Sequence, residues 1–350
     1  LRESSARRYL DALYAELEAT PREPAATLFL GGGTPNAYDA ATISALVARL
    51  RSHFSLPPGA EASIEINPEL VRGGDFERYR QAGITRVSIG VQSFVAPEIA
   101  VLGRKHSPQD IAAVVAAARD AGIASLSIDL MFAVPGQTLQ SWRASLERAI
   151  ALNVDHISTY GLTVEPNTPY AAWQLREPGA FYDDVKEAEL YATAIETLEA
   201  AGYEQYEISN FARPGHRCAH NENYWANGDY VGLGVGAASY GGGVRSVHVR
   251  SLEQYAAAAL GGEPIPSEDE RLEGLRRAGE AIMLALRTTQ GVRLREFKER
   301  YGVDLIEHYA PVLARYSAAG LLERVDDSMR LTERGRFVAN DVCGAFVTFD

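Results

Sequence analysis

An α/β fold is what this 350-residue sequence predicts, with strands closing into a barrel or partial barrel and a smaller, mostly helical part after it. Three observations carry that reading. Short β-rich runs alternate with alanine-rich amphipathic stretches up to about residue 165, the order of βαβ units and a parallel sheet. Turn chemistry suited to helix C-caps, such as Ala82-Gly83 and Ala121-Gly122, stands before the strands. Beyond Gly261-Gly262-Glu263-Pro264 the pattern turns helical and closes on a short β-like stretch.

In order, strands are expected at 27–30, 62–66, 86–90, 125–130 and 156–162, with helices at 40–53, 76–82, 108–121 and 141–152 between them. Five such units in regular spacing favour a barrel over a short doubly wound sheet, and either places chemistry at the carboxyl ends of the strands. A Pro/Gly-bearing stretch at 165–180 leads to a helix at about 183–201. The segment 203–243, rich in aromatics, Gly and Asn, reads as strand, loop and tight glycine turns. Helices follow at 269–287, 292–301 and 305–319, then a wing-like pair at 322–331, together resembling a winged-helix domain. The segment 305–320 bears Asp304 at its start, Glu307 and a single Arg, so packing or partner docking suits it better than DNA binding.

Composition narrows the function. A net charge of −12 argues against a nucleic-acid scaffold and for a small or planar ligand. Apolar residues, 46% of the chain, suffice for a sizeable core, and no apolar run approaches the ~18–20 residues that span a bilayer. Only Cys218 and Cys343 occur, with no CxxC pair, which fits a reducing, cytoplasmic setting and forbids a site of three or four thiolates within this chain. The opening on Leu1, inside a helix-like and charged stretch without the look of a signal peptide, reads as a piece of something longer.

Several residues stand out chemically. Gly31-Gly32-Gly33-Thr34-Pro35 directly follows the strand TLFL, and such a turn lets backbone N–H groups approach a carboxylate or phosphate. A tight turn without a ligand explains it equally well. Glu65 in SIEINPE, Gln92 in SIGVQSF and Asp129 in SIDLMFAVPGQT sit at or beyond strand ends, and Arg104 follows in VLGRKH. A carboxylate in an apolar strand needs a partner or a ligand. An internal Arg104–Asp129 ion pair would meet that need, but four such residues on successive units beside a glycine turn favour one shared polar pocket.

GGGTP, SIEINPE, RVSIGVQSF, LGRKHS, IDLMFAVPGQT and ISTYGLTVEPNTP, in this order over nearly the whole chain, closely resemble the radical-SAM proteins related to oxygen-independent coproporphyrinogen III dehydrogenase. The resemblance implies a partial (β/α) barrel that binds S-adenosylmethionine across its open rim. Gly32, Gly33 and Thr34 would meet the methionine end of that cofactor, and Glu65, Gln92, Arg104 and Asp129 match its other polar contacts. The domains expected on this basis are a radical-SAM core lacking its first strand (1–202), a signature segment with a glycine-rich loop (203–262) and a winged-helix-like domain (263–350).

Within that group the chain resembles the heme-chaperone branch, whose HNxxYW signature stands here as His220, Asn221, Glu222, Asn223, Tyr224 and Trp225. Imidazole can ligate heme iron and aromatic faces can stack on a porphyrin. The bland alternative is that His220 and Asn221 fix a loop while Tyr224 and Trp225 pack. Cys218 and His216 are further, weaker ligand candidates. The resemblance implies heme as ligand and heme-accepting membrane respiratory proteins as partners, at a cytoplasmic location or one peripheral to the inner membrane. Oxidation of coproporphyrinogen III is the alternative activity.

Three departures bear on this. The family's CxxxCxxC motif, whose thiolates hold a [4Fe–4S] cluster, lies upstream of the helix with which this chain begins, so no independent radical chemistry is expected from this chain. Ala238 in GAASY stands where the branch commonly has His, and Ala133 in FAVPGQT stands for a more usual Gly. With a first strand absent, the exposed edge of its neighbour would invite a homodimer.

Overall fold

A computed structural model describes residues 3–347. Their contacts form two units: a sheet unit of Ala26–Arg49 and Pro58–Cys218, and a terminal unit of Leu1–Ala25, Leu50–Pro57 and Ala219–Asp350. Helix α1 (Glu3–Ala19) opens the chain. The progression β1 (Thr27–Leu30), α2 (Ala40–His53), β2 (Glu61–Ile66), α3 (Asp75–Ala82), β3 (Arg86–Gln92), α4 (Ala96–Val101), α5 (Pro108–Asp120), β4 (Ser125–Phe132), α6 (Leu139–Ala151) and β5 (His156–Gly161) follows. Helices α7 (Pro169–Arg176) and α8 (Asp184–Ala200) then lead to short strands β6 (Glu204–Gln205) and β7 (Asn210–Ala212).

One sheet holds all seven strands in the order β1-β2-β3-β4-β5-β7-β6. The first five run parallel, and β7 returns antiparallel to β5. This is the α/β architecture expected from the alternation in the sequence. Period-2 geometry sorts its side chains. One face carries Ala62, Ile64, Val87, Ile89, Leu126, Ile128 and Ile157, all fully buried. Beneath them pack the apolar sides of the helices, as where the Phe132 ring meets Trp142 at 5.8 Å and Tyr191 at 6.1 Å. Trp142, wholly buried, satisfies its indole N–H on the carbonyl of Leu190 at 2.9 Å. The opposite face is polar: Ser63, Glu65, Arg86, Ser88, Ser127, Asp129, His156, Ser158 and Tyr160. The ladder sets Glu65 beside Ser88, Gly90 beside Asp129, and Asp129 beside Ser158. This polar inner wall is the lumen of the partial barrel.

The terminal unit holds α9 (Ala219–Trp225), β8 (Ala238–Gly241), β9 (Val244–His248), α10 (Leu252–Gly261), β10 (Ser267–Arg271), α11 (Gly274–Ala285), β11 (Val292–Arg293), α12 (Leu294–Tyr301), α13 (Leu305–His308), α14 (Ala310–Ala318), β12 (Leu322–Val325), β13 (Ser328–Leu331), α15 (Glu333–Phe337) and α16 (Ala339–Val347). Strands β10-β9-β8 and β11-β13-β12 make two small sheets. Helix α1 packs on α10 through Ala12, Tyr255, Ala256 and Ala259.

Four local expectations change. The helix expected at 269–287 begins only at Gly274, because residues 267–271 pair with β9 as strand β10. Their charged composition suits a helix, but the ladder and cross-strand contacts from Ser246 to Asp269 (2.6 Å) and Arg245 to Glu270 (3.1 Å) decide it. The helix expected at 305–319 is two helices, since Pro311, lacking an N–H, fits only the first turn of α14. HNENYW lies on helix α9, not in a loop. Two helices, α15 and α16, follow the wing.

Candidate functional site

The rim of the lumen is built where the parallel strands end. Strand β1 stops at Leu30, and Gly31 brings its backbone so close to the Phe29 ring and the Glu65 carboxylate that a Cβ there would lie 2.7 Å from Glu65 Oε2. Gly32, at φ +78°, donates its N–H to the same oxygen at 3.3 Å. Thr34 precedes a single 3₁₀ turn, Pro35–Ala37, that buries Asn36. The Asn36 amide donates to the Asn67 carbonyl (2.9 Å) and accepts from the Asn67 N–H (3.0 Å). The Asn67 side chain in turn donates to Thr34 Oγ1 (3.4 Å) and accepts from Arg104 Nη1 (2.6 Å). Asn67 thus ties together the turns that carry Thr34 and Arg104.

Gln92 closes β3 at φ +66°, a left-handed conformation costly for a residue with a side chain, where the ladder to β4 slips between Gly90 and Gln92. A Cβ on Gly90 would meet Gln92 Nε2 at 3.2 Å and Arg104 Nη2 at 3.5 Å, so this glycine keeps open the space those groups face. Asp129 accepts the Ser88 hydroxyl at 3.0 and 3.1 Å. All seven rim residues singled out in the sequence, Gly32, Gly33, Thr34, Glu65, Gln92, Arg104 and Asp129, fall at this end of the sheet. The Arg104 guanidinium makes its close contacts with Asn67 and Glu69, the latter at 3.5 Å.

The electrostatics favour a cationic guest. Burial pushes the Glu65 carboxyl above its ordinary value and the neighbouring Asp129 adds to the shift, while the Gly32 N–H opposes it. Burial likewise raises Asp129, against hydrogen bonds from Ser158 and Ser88 and the attraction of Arg86 and Arg104. Two desolvated carboxylates on one wall, with an arginine and a glycine turn beside them, suit a zwitterion whose ammonium meets the acids. Tyr160 stands 39% exposed at the mouth, its hydroxyl pushed up by burial and by Asp129.

The floor is of the other sign. Arg86, 4% exposed, donates to Ser125 (3.0 Å) and to the His216 carbonyl (2.9 Å). His156 bridges Ser127 Oγ (2.8 Å) and the Tyr206 hydroxyl (2.8 Å), and burial with Arg86 nearby holds it well below the usual imidazole range, hence neutral. Cys218 closes this end, its N–H on the Tyr206 hydroxyl (3.3 Å) and its Sγ on Glu61 (3.5 Å). His216 faces Ser125 at 3.3 Å. Asn36, Asn67, Ser88, Ser158 and His156 were not singled out from the sequence. The period-2 alternation of SIEI, VSIG, SIDL and HIST was the signal for a continuous polar wall.

The second cluster lies in the terminal unit. His220 and Tyr224, one turn apart on α9, share a hydrogen bond (Nε2 to hydroxyl, 2.9 Å) with rings edge to face at 4.8 Å. Tyr224 meets Tyr230 at 4.7 Å, and Tyr230 stacks on Tyr240 at 6.2 Å. Trp225 lies under the Arg287 guanidinium at 5.2 Å. Asn221, half-buried, sits beside His220 on the same helix. Ala238 begins β8 opposite Val247. The two sets of candidate residues thus belong to different units, and His216 and Cys218 go with the sheet unit.

Comparison with known proteins adds the following. The Radical SAM superfamily model matches residues 2–149, and the HemN C-terminal domain model matches residues 272–338. The heme chaperone HemW of Bacillus subtilis (strain 168) is 34% identical over 349 residues, 97% of this chain and 91% of that one. HemW of Escherichia coli (strain K12) is 34% identical over 327 residues, 92% of this chain and 84% of that one. The solved structure of coproporphyrinogen III oxidase (HemN) from Escherichia coli, a radical SAM enzyme, superposes with a TM-score of 0.86 at 25% identity, covering 100% of this chain and 85% of that one.

Proposed function

The chain belongs to the radical-SAM heme chaperone (HemW) family, and from that membership we propose that it binds heme at helix α9 and delivers it to heme-accepting respiratory proteins. The observation that carries the reading is His220 on α9, half-buried, with the Tyr224 ring one turn on packed edge to face against its imidazole and Trp225 next along the helix. His220 is the candidate iron ligand, with Asn221, Tyr224 and Trp225 shaping its surroundings. Titration of the chain with heme, read by absorbance, tests this: saturable binding is expected, weakened about tenfold or more by His220→Ala as for a lost hot-spot contact. Unchanged affinity in that variant removes His220 as ligand.

S-adenosylmethionine is the guest proposed for the lumen. The rim residues fit it: the backbone at Gly32 and Gly33 faces open space with no atom within 4 Å of a would-be Cβ, and the acids and Arg104 complement an amino-acid moiety. Gly32, Gly33 and Thr34 would hold its methionine end and Glu65, Gln92, Arg104 and Asp129 its remaining polar groups. In this family the cofactor supplies a deoxyadenosyl radical once a reduced cluster cleaves it. The residues of this chain do not fit a [4Fe–4S] cluster, since Cys218 and Cys343 lie in different units and both are buried. No grouping of three or more His, Cys, Asp or Glu suited to a metal exists among the described residues. The chain's own part is therefore to bind and orient.

Oxidation of coproporphyrinogen III is the second reading, favoured by the likeness to HemN. It requires cluster thiolates from outside this sequence, and turnover of coproporphyrinogen would decide for it. No helix among the described residues is long and apolar enough to cross a membrane. A homodimer through the edge strand β1 is proposed as the resting state, and a monomer in light scattering would exclude it.

A further inference from the structure

Helix α11 packs against α9, and Arg277, Glu280 and Leu284 follow one side of it, with Arg287 a turn further on. Arg277 lies over the Tyr301 ring at 5.6 Å and Arg287 over the Trp225 ring at 5.2 Å. The chain holds 46 acidic residues against 34 basic ones, so a carboxylate partner for an arginine is easily had. Arg245, nearby on β9, has two, Glu270 at 3.1 Å and Glu280 at 2.5 Å. Arg277 and Arg287 have no ion pair among the described residues; Arg287 reaches only the amide oxygen of Asn340, at 3.2 Å.

A second observation points the same way. Three buried donors here lack any acceptor, Arg277 Nε, Arg287 Nε and Trp225 Nε1, against a single unpaired buried acceptor on that side of α11, Glu280 Oε2, whose carboxylate is already engaged by Arg245 through Oε1. Buried N–H groups are nearly always paired, and a cluster of unpaired donors marks a place for an acceptor-bearing ligand. An anionic acceptor suits it best, because two of the donors are guanidinium groups, each already stacked on one aromatic ring.

We infer that Arg277 and Arg287 are the carboxylate-binding residues of the heme site, each taking a propionate of the porphyrin whose iron lies toward His220. The inference rests on the heme reading above and adds which residues recognise the ligand's edge. Each guanidinium keeps its stacking on Tyr301 or Trp225 while its in-plane N–H groups turn to the carboxylate. A ligand with esterified propionates loses this recognition and nothing else.

The experiment compares heme with its dimethyl ester, titrated in the same detergent buffer against the full chain and its Arg277→Gln, Arg287→Gln and doubly substituted forms. The parent chain should prefer heme by about tenfold or more, as for a charge-assisted hydrogen bond. Each substitution should narrow that preference and the pair should abolish it, by lowering affinity for heme more than affinity for the ester. Arg287→Lys, which keeps the charge and loses the planar fork, should keep part of the preference and serves where the Gln variant does not fold. An acid-over-ester preference that survives in the double variant overturns the assignment while leaving heme binding intact. Failure of the parent chain to bind either compound overturns the heme reading, and this inference with it.

Discussion

Asn36 and Asn67 exchange two hydrogen bonds, 2.9 and 3.0 Å, between the turns that follow the first two parallel strands. The pair is what holds Thr34 and, through the 2.6 Å bond that Arg104 donates to Asn67, Arg104 at one rim. Both asparagines position residues that are proposed to meet S-adenosylmethionine.

Asn36→Ala leaves the half-buried Asn67 N–H without its partner, a cost of about 1 kcal/mol. Urea unfolding should show that loss. Equilibrium dialysis should show S-adenosylmethionine affinity falling about tenfold, the size expected when a positioning hydrogen bond goes. Full retention of affinity would mean the turn is held by other contacts.

Glu65 is raised in the folded protein, chiefly by burial and next by Asp129. A raised carboxyl favours its protonated form, so its contribution to stability is fully present below the ordinary value of 4.5 and is lost as pH rises through the folded value. Glu65→Gln carries no charge at any pH. It should melt close to the parent protein in acid and above it at neutral pH, while binding a cationic guest more weakly. A melting difference independent of pH would contradict the assignment.

Ala133 sits at φ +60° and is 5% exposed, just past β4. Left-handed backbone costs an L-residue roughly 1 kcal/mol that glycine does not incur. Ala133→Gly should therefore stabilise the chain by up to about 1 kcal/mol in urea unfolding, without moving ligand affinity. Destabilisation would mean that the buried methyl matters more than the backbone.

Tyr224 holds the His220 Nε2 at 2.9 Å, so iron bound at that nitrogen must displace the hydroxyl. Tyr224→Phe removes the competitor, and heme affinity should rise by several-fold, the worth of one hydrogen bond of about 1 kcal/mol. Reduced affinity would assign the hydroxyl a direct part in holding heme.

The parallel order and helices α2, α3, α5, α6 and α8 were legible because hydrophobic periodicity and glycine punctuation are local signals, whereas the short α4 and α7 show no period and were not. The stitching was not. Asn67 sits in plain view in SIEINPE, but its importance comes from Asn36, far off in sequence, and only the sheet brings them together. Strand β10 was misread as helix because its partner β9 lies across an intervening helix, and a ladder formed at a distance overrides local composition. Helix α9 was hidden for a similar reason: seven residues are too few to show a period, and packing on α11 makes it a helix. Arg277 and Arg287 look like surface charges in the sequence, since nothing there reveals the rings beneath them.

The sheet unit assigns its two faces to different tasks. Isoleucine, valine and leucine on the outer face hold the strands to their helices, while Ser63, Ser88, Gly90, Ser127 and Ser158 line the inner one. A change in the lining acts on the hydrogen bonds of Asp129 and His156 and on what the lumen admits, whereas a change on the outer face acts on helix packing. Strand by strand, adjacent letters of this sequence answer to different selection pressures, and related chains should diverge in odd and even positions at unequal rates.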